Sequence, residues 1–119
     1  MEQTSRLSQG DLLLIPFPFS DQSGRKVRPV IIISKKEFNS SSEDVLVVGV
    51  TSNTHKDKYS LSFSNKDLKE GKLFADCSIK CGNILKVDKE LIINKIGKIK
   101  LEKLKDIINK VLEIIKINQ

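Results

Sequence analysis

Short apolar runs separated by polar stretches fill most of the chain, and a helical period takes over near its end. Gly10 and Asp11 lead into a first strand, Leu12–Ile15. Pro16 and Pro18 then alternate with Phe17 and Phe19, and proline withholds the backbone donor that a central strand needs, so this segment is expected at a sheet edge. Pro29–Ser34 and Val45–Val50 are runs apolar enough to be buried strands, with Gly49 marking a bulge or a close backbone approach. Tyr59–Ser64 alternates strictly, as a half-exposed strand does. Two further strands are expected within Leu73–Lys80 and Asn83–Val87, on either side of Gly82, and Leu91–Ile96 is ambiguous. Lys35–Ser42 reads as a polar connection and Asn65–Gly71 as a turn region. From Lys100, Leu101, Leu104, Ile108, Val111 and Ile115 recur at three- and four-residue steps, widened by Ile107, Leu112 and Ile114. That period predicts an amphipathic helix over 100–117, packed on the sheet. Residues 1–9 are polar and expected to be disordered.

Five or six short strands followed by one helix make the chain mainly β, a small, strongly bent sheet or barrel carrying a C-terminal helix. The loops are too short for parallel crossovers. At 119 residues the chain is expected to form a single domain, 1–119, with one core. Aromatic residues are only 5% and Trp is absent, which argues against a broad base-stacking platform.

Charge widens the field before it narrows it. A net charge of +6 and a pI near 9.4 suit an anionic partner such as RNA, DNA or an acidic protein tail, and equally suit a solvated lysine surface. The excess lies mostly beyond Lys86, away from the basic loop at Arg25, Lys26 and Arg28. No signal peptide and no apolar run of membrane-spanning length is seen, so the protein is expected in the cytoplasm, without a membrane partner. Cys77 and Cys81 with a single His55 fall short of a zinc set. They read as small core residues, with a redox or disulfide role as the alternative.

Three polar segments interrupt the apolar strands: Ser20–Pro29, Thr51–Lys56 and Lys80–Asn83. In so small a sheet such segments can converge at one rim. Pro29 biases Arg28 toward extended backbone, which sets a permanently charged guanidinium at the start of a rigid strand, a good place to hold a phosphate. The structural alternatives are an ion pair for Arg28 and a strand-end hydroxyl for Thr51.

Taken together the segments resemble the MazF/PemK/Kid family of toxin endoribonucleases over nearly the whole chain. GDLLLIPF (Gly10–Phe17) is similar to the family's opening strand, and SDQSG with RPVIII to its acid-Gln-x-Gly loop and RPV strand. VVGVTSN (Val47–Asn53) is similar to the strand ending in a Thr-Ser or Thr-Thr pair, and DCSIKCGNILKVD (Asp76–Asp88) to a later strand and polar turn. The resemblance implies an SH3-like small β-barrel with a C-terminal helix, a fold shared with the CcdB group, and a homodimer. It implies a type II toxin that cleaves single-stranded mRNA at short sequences, with no metal or other cofactor, leaving a 2′,3′-cyclic phosphate and a 5′-hydroxyl. It also implies a cognate antitoxin that threads a disordered acidic tail into the basic groove. Arg28 matches the arginine that stabilises the phosphorane, and Thr51 the threonine that hydrogen-bonds the scissile phosphate. Ser52, Asn53 and Lys80 are placed to touch RNA together with Asn83, and Arg25 and Lys26 add nonspecific phosphate attraction.

The chain departs from the pattern at the general base. Some relatives carry an acid where Gly82 stands, which leaves Asp21 as the first candidate base and the imidazole of His55 as the second. The same departure keeps open a non-catalytic RNA- or protein-binding module of the same fold. A gyrase poison of the CcdB kind is disfavoured, because that activity does not require the RPV and VTS segments.

Overall fold

A computed structural model describes residues 7–16, 27–55 and 57–118. The strands are β1 (Asp11–Pro16), β2 (Val27–Ile32), β3 (Asp44–Thr51), β4 (Ser60–Phe63), β5 (Leu68–Gly71), β6 (Cys77–Asp88) and β7 (Asn94–Ile99). A short helix α1 (Lys36–Ser41) links β2 to β3, and α2 (Leu101–Ile115) follows β7. Every pairing is antiparallel, in the order β4-β6-β3-β2-β1-β7-β5. The two edge strands, β4 and β5, are consecutive in the chain and joined only by a tight turn at Asn65–Asp67. That turn is held by a reciprocal capping box between Ser64 and Asp67. A seven-stranded sheet whose edges meet through so short a link must curl, and the result is a half-barrel.

Alternation along the strands divides the core between the two faces of the sheet. Leu12, Ile31, Val48, Val50, Phe63, Ile79 and Cys81 face the interior that Ile107 and Val111 of α2 cover. Leu13, Ile15, Val30, Ile32, Val45, Val47 and Val87 face the other way. Within β6 the faces exchange. Val48 pairs with Ile84 but Gly49 pairs with Lys80, which leaves Cys81, Gly82 and Asn83 as a bulge. An odd number of extra residues reverses the alternation, so Ile79 and Cys81 point into one cluster and Leu85 and Val87 into the other.

Several elements differ from the sequence reading. β1 is central, paired to β2 on one side and β7 on the other; of the segment expected at an edge, Pro16 closes β1 and residues 17–19 lie outside the described residues. Pro16 is tolerated because the β7 pairing has already ended at Leu14. The strands expected on either side of Gly82 form the one bulged strand β6, and the turn region at 65–71 contains β5. The polar connection contains α1, held by tertiary contacts: the Asn39 amide Nδ2 donates to the Ser34 carbonyl at 2.9 Å, and Lys89 Nζ donates to the Asn39 carbonyl. Of residues 1–9, 1–6 lie outside the described residues, and Leu7, Ser8 and Gln9 are tied in. Leu7 is buried, the Ser8 N–H donates to Asp11 at 2.8 Å, and the Gln9 amide donates to the Ile33 carbonyl at 2.8 Å. Asp11 is itself wholly buried and faces Lys98 at 3.2 Å and Lys95 at 3.4 Å. In α2 the buried positions are Ile107 and Val111, while Leu101, Leu112 and Ile115 stay exposed. Among the described residues no helix is long and apolar enough to cross a membrane.

Candidate functional site

The face of the sheet away from α2 carries an open cleft of about 190 Å³ where β2 begins and β3 ends. Its floor is apolar, from Ile15, Val30 and Leu85, and its polar groups are Arg28, Thr51, Lys80 and Asn83. Pairing explains why these four meet. Val30 lies opposite Gly49 and Ile31 opposite Val48. Carrying that register two residues on sets Arg28 opposite Thr51, on one face of neighbouring strands. Lys80 lies opposite Gly49 on the other side of β3. The bulge in β6 then brings Asn83 back over β3, where its amide nitrogen sits 2.8 Å from the place a Gly49 Cβ would occupy. The glycine is what lets that carboxamide lie across the cleft.

The hydroxyl of Thr51 accepts the Asn53 N–H at 3.1 Å, which leaves its own hydrogen available for donation to a ligand. The Asn53 side-chain oxygen accepts the His55 N–H at 3.0 Å. Ser52, Asn53 and His55 are exposed on the loop that leaves β3. His55 is joined to the cleft through its carbonyl, which accepts from Lys80 Nζ at 2.9 Å. Of the residues proposed from sequence, Arg28, Thr51, Lys80 and Asn83 line one cleft, and Ser52, Asn53 and His55 follow on its rim. Asp21, Arg25 and Lys26 lie outside the described residues.

Gly82 is exposed, and a Cβ added there would start out against Ile114 of α2 at 3.8 Å, on the far side from the cleft floor. One acid at the cleft margin was missed from sequence. Asp57 Oδ2 stands 3.8 Å from Lys80 Nζ, while Oδ1 accepts the Tyr59 N–H at 2.9 Å and the Ser60 hydroxyl at 2.8 Å. The Ser60 hydroxyl and then the Tyr59 amide hold its carboxyl below the ordinary carboxylate range; desolvation opposes them, and the Lys80 charge adds less than either bond. The Asp-x-x-Ser spacing at 57–60 was the visible signal for this turn.

Among the described residues no three His, Cys, Asp or Glu side chains gather as metal ligands would. Cys81 is fully buried and its thiol is pushed up to about 11 by desolvation, while half-buried Cys77 is raised by burial and by Asp76. The thiolate is the reactive form, so at pH 8 about one Cys81 in a thousand is reactive. Iodoacetamide is expected to label Cys77 first, and Cys81 labelling is expected to accelerate with pH up to about 11. Peptide mass spectrometry showing equal rates at pH 8 would contradict this.

Residues 8–115 match the family model of the PemK-like, MazF-like toxin of type II toxin–antitoxin system. The chain belongs to this family. Among curated proteins none matches it in sequence. Solved structures agree on the fold. An endoribonuclease in complex with its cognate antitoxin from a mycobacterial species superposes with a TM-score of 0.74 at 16% identity, over 95% of this chain and 98% of that one. MazE–MazF from Deinococcus radiodurans gives 0.76 at 14% identity, over 94% and 98%. The Mycobacterium tuberculosis toxin MazF-mt6 gives 0.72 at 12% identity, over 92% and 99%. The cleft containing Arg28 and Thr51 is therefore carried on a MazF-like toxin fold.

Proposed function

We propose that this MazF-like toxin is an endoribonuclease that cleaves single-stranded mRNA at a short sequence in the cytoplasm, without a metal. The observation that carries the reading is the shared cleft of Arg28 and Thr51, a guanidinium and a hydroxyl donor on adjacent strands. In the reaction the ribose 2′-oxygen attacks phosphorus and the P–O5′ bond breaks. A base takes the 2′ proton and the departing 5′-oxygen gains one. Negative charge grows on the non-bridging oxygens, so fixed donors aimed at them lower the barrier more than they strengthen ground-state binding. Arg28 supplies charge rather than a proton, since a guanidinium does not give one up readily. Thr51 holds the phosphate, and Asn83, Lys80, Ser52, Asn53 and His55 contact the strand. Arg25 and Lys26 add salt-sensitive attraction.

Asp21 is the proposed base and His55 the second choice. The side-chain direction at Gly82, toward α2, supports catalysis over a silent binding module, because an acid there would start out away from the cleft. The proposed partners are a second copy of the chain and an antitoxin whose acidic, disordered tail folds into the basic groove.

Incubation of RNA with the protein in EDTA is expected to give discrete cuts with 2′,3′-cyclic phosphate and 5′-hydroxyl ends. Products bearing 5′-phosphates would overturn the mechanism. RNA binding with no cleavage would turn the assignment to the binding module.

A further inference from the structure

The loop between β3 and β4 is built from two local turns. The first is anchored in the cleft: Thr51 Oγ1 accepts from Asn53, whose side chain accepts from His55. The second is anchored at β4: Asp57 accepts from Tyr59 and Ser60, and the Ser60 N–H donates to the Asp57 carbonyl at 3.3 Å. Lys80 joins the two turns. It lies opposite Gly49 of β3 and Ser60 of β4, so its side chain rises beside the gap from which the loop springs. Its ammonium donates to the His55 carbonyl at 2.9 Å on one turn and faces Asp57 Oδ2 at 3.8 Å on the other.

We propose that Asp57 is a positioning residue for the Thr51 hydroxyl, acting through Lys80 and the loop turns. This rests on the endoribonuclease reading above. The side chain of Asp57 is 62% exposed, so its pairing with Lys80 contributes little as an attraction. Its effect is directional. Oδ1 is taken by two donors, which turns Oδ2 toward the ammonium and steers the ammonium to the His55 carbonyl. That bond holds the His55–Asn53 turn, and the Asn53 N–H in turn fixes which way the Thr51 hydroxyl hydrogen points. A donor that must meet charge developing on a phosphoryl oxygen loses rate when its orientation becomes one of several. Asp57 is poorly suited to be the base itself. Oδ1 already accepts two hydrogen bonds and Oδ2 faces an ammonium, and these partners favour the ionised form, which makes it a weak proton acceptor.

Asp57→Asn tests this, because its amide oxygen can keep the Tyr59 and Ser60 bonds while the charge facing Lys80 is lost. Two readouts are taken on the full chain: kcat and KM on a short oligoribonucleotide, and 15N order parameters of the Asn53 and His55 amides without RNA. The order parameters are expected to fall, and kcat to drop about two- to fivefold, as the loss of one exposed pair allows. KM is expected to hold or decrease, since a negative charge near the phosphates is gone. Asp57→Glu, which restores the charge, is expected to recover part of both. Unchanged order parameters overturn the proposal, as does a loosened loop with unchanged kcat. A loss beyond a thousandfold with an ordered loop also overturns it, by making Asp57 the base. A wild-type protein that cuts no RNA sinks the enzymatic reading, and the order parameters still decide whether Asp57 orders the loop.

Discussion

Arg28→Ala is expected to lower kcat/KM for RNA cleavage by about 10²–10³ while the protein stays folded. The guanidinium lines the cleft together with Thr51, on the face of the sheet that α2 does not cover. Its loss removes a fixed positive charge from the place where the transition state gains negative charge. Arg28→Lys is expected to recover little, because a compact ammonium on a flexible stem cannot present a planar fork to two phosphoryl oxygens. Stability should change little. Arg28 is the second residue of β2 and half-buried, whereas the residues that hold the strand are Val30, Ile31 and Ile32. Parallel measurements of single-turnover cleavage and of the urea midpoint separate the two effects. Near-wild-type cleavage by folded Arg28→Ala would remove the centre of the proposed mechanism. A midpoint lowered as far as a core deletion lowers it would make Arg28 a structural ion pair instead.

How much of this was legible in the sequence depends on the range of the interactions. β1, β2 and β3 are visible because each carries its own apolar run, and α2 because its period is carried within the helix. β5 is hidden because Leu68 is its single large apolar residue and its partner is β7. α1 is hidden because Lys89, far along the chain, holds its Asn39 carbonyl. β6 appeared as two strands because the bulge at Cys81–Asn83 reverses the inside-outside pattern halfway along it. The same rule governs the site. Arg28 opens one apolar run and Thr51 ends another, and Lys80 and Asn83 fall at a polar break, so all four stand out locally. Asp57 does not, since its orientation acquires meaning only opposite Lys80, and no local pattern pairs the two. The C-terminal lysine excess is no guide to the cleft, whose Arg28 and Lys80 come from β2 and β6.

Gly71→Ala is expected to destabilise the fold by about 2–4 kcal/mol, whereas Gly49→Ala costs under about 1 kcal/mol. The two glycines differ in what a methyl group would meet. At Gly71 the backbone has φ +93, where an L-residue is strained, and the new Cβ would lie 2.4 Å from the Ile96 carbonyl oxygen and 2.8 Å from the Gly97 Cα. Both obstacles are backbone of β7, and Gly97 is the residue paired with Gly71, so neither can swing aside. Gly97 repeats the constraint from the other side, where an added Cβ would lie 2.7 Å from the Glu70 carbonyl oxygen. The sheet can respond only by opening β5 from β7, which uncovers Leu68 at one edge of the half-barrel. At Gly49 the obstacle is the Asn83 amide, the free end of an exposed side chain. It can rotate away, at the expense of the cleft rather than of the fold. Urea unfolding of the two variants should therefore rank them in that order, with faster amide exchange in 68–70 and 97–99 for Gly71→Ala alone. A Gly71→Ala midpoint equal to that of the unsubstituted chain would show that the close approach of Gly71 to Gly97 is not what joins the edge strand to β7.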